Sequence, residues 1–140
     1  MASWDVQIEG LDDLRSTLAA SIEQMRRGTE AGLYQSALVQ MAQSQKIVPI
    51  GGPPQSPHDV APGTLRDSGI VLLPEWEGDT CVVVLGYGGA ASAYAWRQHE
   101  DLTYSHKPGQ QAKYLETPMS LDAPNVTRRI RDAIQLEQRR

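Results

Sequence analysis

The sequence has no Phe, and three Trp and five Tyr are the whole of its aromatic complement in 140 residues. One chain of this size needs bulky side chains to fill a core, so the shortage points to burial completed by neighbouring subunits. Cysteine is as scarce. The single Cys81 excludes an intramolecular disulfide, and its place in Cys81-Val82-Val83-Val84-Leu85 reads as that of a small buried hydrophobe. No stretch approaches the roughly 18 continuous apolar residues of a membrane helix. The opening Met1-Ala2-Ser3-Trp4-Asp5 lacks the basic and apolar regions of a signal peptide, so the expectation is a protein made and kept in the cytoplasm. Positive charge is not in excess either. Asp and Glu number 17 against 13 Lys and Arg, for a formal net charge of −4, which argues against gripping nucleic acid through a broad basic surface. The one basic concentration, Arg128, Arg129, Arg131, Arg139 and Arg140, reads as a solvated helix face.

What is present suits one folded domain over residues 1–140, with 40% hydrophobic and 21% charged residues. Trp4-Asp5-Val6-Gln7-Ile8 alternates like a short half-buried strand. From Leu11 the period lengthens. Leu11, Leu14, Leu18, Ile22 and Met25 recur at three- and four-residue steps and line one helical stripe. Gly28 and Gly32 each cost about 1 kcal/mol of helix stability relative to Ala, so a bend or short break is expected there. Tyr34, Leu38 and Met41 then form a second stripe, which Pro49 stops near Lys46 to Val48.

Between residues 49 and 63, Pro49, Pro53, Pro54, Pro57 and Pro62 with Gly51, Gly52 and Gly63 exclude regular structure and define a long exposed loop. Residues 62–68 read as one helical turn. Ile70 to Leu73 and Cys81 to Leu85 read as strands of an antiparallel hairpin joined by the polar Glu75 to Thr80, with Gly86 to Gly89 breaking the second strand. Ala90 to Glu100 suits a short helix and Asp101 to Gly109 a polar loop; periodicity leaves Ala112 to Glu116 open between strand and turn. Val126, Ile130 and Ile134 lie four apart and define an amphipathic C-terminal helix over residues 125–138, capped near Asn125. The fold class expected is therefore α+β.

Chemistry is hard to find in this pattern. His58, His99 and His106 with Cys81 and Glu100 form the one conceivable metal set, and none of them is paired at a ligand spacing. No nucleophile elbow frames Ser68 or Ser92, and Gly86-Tyr87-Gly88-Gly89 lacks the Lys-Ser/Thr ending of a phosphate-binding loop. The expectation is no catalytic residue, no metal and no cofactor.

Three segments in fixed order carry a resemblance. They are Gly63-Thr64-Leu65-Arg66-Asp67-Ser68 after the proline loop, Tyr94-Ala95 followed by Gln98-His99-Glu100, and Ala112-Lys113-Tyr114-Leu115-Glu116. Together they resemble the tail-completion, or head-to-tail joining, proteins of tailed bacteriophages, often labelled minor capsid proteins. The similarity spans Leu11 to Ile134; a departure is Asp101-Leu102 after the glutamate, where many relatives place an aromatic residue and a glycine. The resemblance implies a long N-terminal helix packed on a small, mainly antiparallel sheet. It further implies a ring, often a hexamer, in the neck or at the head-proximal end of the tail, with portal-complex and tail-tube proteins as partners. DNA would pass through without sequence-specific binding, and no membrane would be involved. Such a virion subunit would assemble in the host cytoplasm.

Ring subunits need two complementary surfaces. The residues expected at partner contacts are Pro49, Pro53, Pro54, Pro57 and His58 of the loop, the helical stripe beyond Gly32, and Arg66, Ser68 and Glu100. Alternatives are a stopper or minor tail protein of the same virion. From other classes come a small hydrolase using His99 or His106, and a host-interaction module.

Overall fold

The computed structural model describes residues 7, 9–57 and 59–140. The strand expected at Trp4 to Ile8 lies almost wholly outside them, as does His58. The chain runs as α1 (Leu11–Ile47), α2 (Thr64–Asp67), β1 (Gly69–Val71), β2 (Glu75–Glu77), β3 (Thr80–Val82), β4 (Leu85–Tyr87), a 3-10 turn (Gly89–Ala91), α3 (Ser92–Glu100) and α4 (Glu116–Gln138). The α+β class is as the sequence implies.

α1 is a single helix of 37 residues, uninterrupted at Gly28 and Gly32. No break occurs because those glycines serve close approach. α4 runs antiparallel to α1, and a Cβ on Gly28 would lie 2.5 Å from Ile134 Cα, while one on Gly32 would collide with Ile130 Cα. Backbone-to-backbone packing at this range offsets the propensity cost, since only a residue without a Cβ admits it. α4 is thus the main partner of α1, which meets the sheet near its C-terminal end, where Gly69 sits against Met41. Val48 ends the helix, its N–H bonded to Ser44 O at 2.9 Å.

α4 begins at Glu116, nine residues before the expected cap at Asn125, and Pro124 lies inside it. Pro118 occupies the first turn, where a missing amide hydrogen costs nothing; Pro124 forfeits one interior bond. Asn125 is no cap. Its side chain joins Asp122 at 3.3 Å and Arg128 at 3.1 Å within the helix.

The sheet is one antiparallel hairpin in two short ladders. β1 pairs with β4 in the register Ile70↔Gly86, and β2 pairs with β3 in the register Trp76↔Cys81. Leu72 N–H donates to Val84 O at 2.8 Å between the ladders, and Gly78 turns the tip at φ 62°. Glu75-Trp76-Glu77 is therefore strand and not connection, and Gly86 belongs to β4 rather than ending the strand before it. The sequence reading erred because alternation of Glu, Trp and Glu resembles a polar linker when only one side chain in three is apolar. Cys81 is partly exposed, not buried; burial still pushes its thiol pKa up, with Glu30 adding to the effect.

Candidate functional site

The three segments that carry the resemblance converge. Leu65 of α2, Ala95 of α3 and Tyr114 form one buried cluster with Val48 and Ala91. Tyr114 is its hub, 1% exposed, with its hydroxyl donating to Ala95 O at 2.8 Å. Tyr87 and His99 each meet the ring edge-on, at 5.2 and 4.9 Å between centroids, and the Tyr87 hydroxyl is 2.7 Å from Ser44 Oγ. Burial holds the Tyr114 phenol far above its usual titration range. The segment 112–115 is a turn, with Lys113 at φ 54°, and Lys113 N–H bonds His99 O at 2.8 Å. That resolves its ambiguity in favour of the turn.

At the rim of this cluster stands a charged group. Glu100 bridges His99 Nδ1 at 2.7 Å and Lys113 Nζ at 2.6 Å, and Lys113 also reaches Glu116 at 3.1 Å. The Lys113 hydrogen bond, then that from His99, holds the Glu100 carboxyl below its ordinary value, while the bonds to Glu100 and then Glu116 raise Lys113. His99 Nε2 accepts from the Glu116 N–H at 3.4 Å at the start of α4, so with Nδ1 on Glu100 both ring nitrogens are engaged. Neither meets a serine hydroxyl or the Cys81 thiol among the described residues.

The proline loop arches over a cavity of about 560 Å³ whose walls include Pro49, Pro53, Pro54, Tyr94, Gln98 and His106. Ile50 N–H donates to Gln110 Oε1 at 3.2 Å and Gln111 N–H to Ile47 O at 3.0 Å, tying the loop base to the segment before Tyr114. His106 Nε2 is buried without a hydrogen-bond partner among the described residues. Pro53, Pro54 and Pro57 are exposed and Pro49 is half-buried.

Arg66 and Ser68 lie together on α2 and just past it. Arg66 Nε pairs with Asp67 at 3.2 Å, leaving its side chain 43% exposed, whereas Ser68 Oγ donates to Leu65 O at 2.7 Å and closes the turn. No bond joins Glu100 to either of them among the described residues. The expected contact residues therefore fall into two places, the loop with α2 and the end of α3. The stripe beyond Gly32 is largely spent inside the chain, since Ala37 and Met41 are buried and only Leu38 stays exposed.

Sequence reasoning missed a polar clasp between the long helices. Arg129, taken for part of a solvated face, makes two bonds to Asp122 at 2.7 and 2.8 Å, and Gln40 of α1 donates to the same carboxylate at 3.1 Å. Arg129 also reaches Ser36 at 3.4 Å. The hydrogen bonds from Arg129 keep Asp122 below its ordinary pKa and raise that of Arg129 in turn. Gly28, Gly32, Ser36 and Gln40 at strict four-residue steps were the available signal. Among the described residues, no group of three His, Cys, Asp or Glu is placed to hold a metal ion, and no helix is long and apolar enough to cross a membrane. Compared with protein-family models, curated proteins and solved structures, the chain shows no match.

Proposed function

We propose that this chain is a structural subunit of a tailed-phage particle, joining head and tail as one member of a ring in the neck or at the head-proximal end of the tail. Catalysis forms no part of the reading. One observation carries it: the chain exposes 10030 Å² at 15.4 kDa, whereas a compact monomer of that mass exposes about 7,200 Å². Part of that surface is apolar. Leu73, Trp96, Leu102 and Leu121 are each more than 70% exposed, and Ile70, Leu72 and Val84 form an uncovered patch on the hairpin. Such surface is what an oligomer buries. The exposed proline loop supports the same reading, because a stiff segment loses little entropy on docking.

Mass photometry of the purified protein, alone and mixed with the portal or tail-tube protein of the same virion, tests the proposal. Rings, or a complex with either partner, are expected. A chain that stays monomeric and binds neither partner at micromolar concentration would overturn it.

A further inference from the structure

The seam that α4 covers on α1 does not stop where α4 stops. Read from the C-terminal side, Gln40, Ser36, Gly32 and Gly28 face α4, and three- and four-residue steps then continue through Met25, Ile22, Leu18, Leu14 and Leu11. α4 comes level with Arg27 at Glu137, one residue before it ends, through a 3.1 Å bond. Beyond that point the five apolar side chains are 42–57% exposed. The bare part, Leu11 to Arg26, extends on the order of 24 Å. A helix of that length without a packing partner is marginal in water.

We infer that the bare end of α1 is covered by the same segment of a second copy of this chain, running antiparallel about a two-fold axis near Leu18. Three observations select this occupant. The stripe spacing is three, four, four, three, which reads identically in both directions, so Leu11 meets Met25 of the other copy, Leu14 meets Ile22, and Leu18 meets itself. The charges on one flank also reverse sign about Ala19, one residue past that centre, which offsets each charge pair by about 3 Å along the axis. In an antiparallel pair Asp12 falls beside Arg26 of the other copy, and Arg15 beside Glu23, each pairing occurring twice. Arg26 is held in position by stacking on Trp76, 4.0 Å from the ring centre. Finally, the five side chains leave on the order of 500 Å² per copy, so a self-pair removes about 1,000 Å², the least that a specific interface needs.

A two-fold contact is self-complementary, whereas ring contacts are head-to-tail. The inference therefore stands apart from the proposed ring and can fail without it. In the full chain with Cys81→Ser, Leu18→Cys should oxidise to a covalent dimer, while Leu11→Cys alone should not. A mixture of Leu11→Cys and Met25→Cys should give the crossed dimer. Glu23→Arg should weaken dimerisation roughly tenfold in sedimentation equilibrium, and Arg15→Glu added to it should restore the wild-type value. A wild-type chain that sediments as a monomer at about 100 μM would overturn the inference, whether residues 1–8 or a different protein covers the stripe. Equal self-crosslinking of Leu11→Cys and Leu18→Cys, as parallel pairing gives, would overturn it too.

Discussion

At the scale of single residues, the contact between α1 and α4 is set by what is missing and by what is paired. Gly32 has no Cβ, and any would strike the backbone of Ile130. Gly32→Ala gains about 1 kcal/mol of helix propensity, yet forces two backbones apart, for a net loss of about 2–3 kcal/mol in urea unfolding. Gly52→Ala, with nothing within 4 Å, should change stability by less than about 0.5 kcal/mol. The Asp122 side chain is 12% exposed and that of Arg129 17%. Because the folded carboxyl is held below its ordinary value of 3.8, its contribution is complete above that value. It is lost as the pH falls through the lower folded value. Urea midpoints at pH 7 and pH 3 should differ less in Asp122→Asn than in wild type. At pH 7 that variant should be less stable by about 3 kcal/mol, since it leaves Arg129 without its counter-charge.

At the scale of elements, the outer half of the hairpin, β2 and β3, is an arm fastened through Trp76. Trp76 Nε1–H donates to Glu30 Oε1 at 2.6 Å and its ring carries Arg26, which pins β2 and β3 to α1. Trp76→Ala should speed amide exchange in β2 and β3 by at least about tenfold, with β1, β4 and the Tyr114 cluster little changed. Uniform acceleration across the chain would show instead that the arm and the core unfold as one unit. Helix positions were legible in the sequence where a proline or alanine-rich composition marked them, as at the Pro49 stop of α1 and at α3. One error has a plain cause: Gly28 and Gly32 were read by intrinsic propensity, while tertiary packing decided the outcome. The antiparallel hairpin was legible, but β2 within it was not, because at three residues it is too short for alternation to declare itself.

At the scale of the whole molecule, the three segments that carry the resemblance meet around Tyr114. The places where partners would attach were less legible, because an amphipathic stripe looks the same whether its cover comes from the same chain or from another. The stripe from Leu11 to Met25 is the case in point: α4 extends no further than the level of Arg27. Thermal unfolding separates the two possibilities through mass action. A chain that folds and melts alone has a midpoint independent of concentration, whereas one that melts from a dimer is stabilised by RT ln of concentration. For 140 residues the unfolding entropy is about 0.3 kcal/mol/K per copy. A tenfold rise in concentration adds about 1.4 kcal/mol per dimer, to be shared by two copies, so the midpoint should climb by about 2 °C per decade between roughly 1 and 100 μM. Leu18→Glu with Ile22→Glu should abolish that slope while leaving the midpoint measured at the lowest concentration within a few degrees of wild type. A flat wild-type slope would mean that the exposed surface is not closed by self-association in solution.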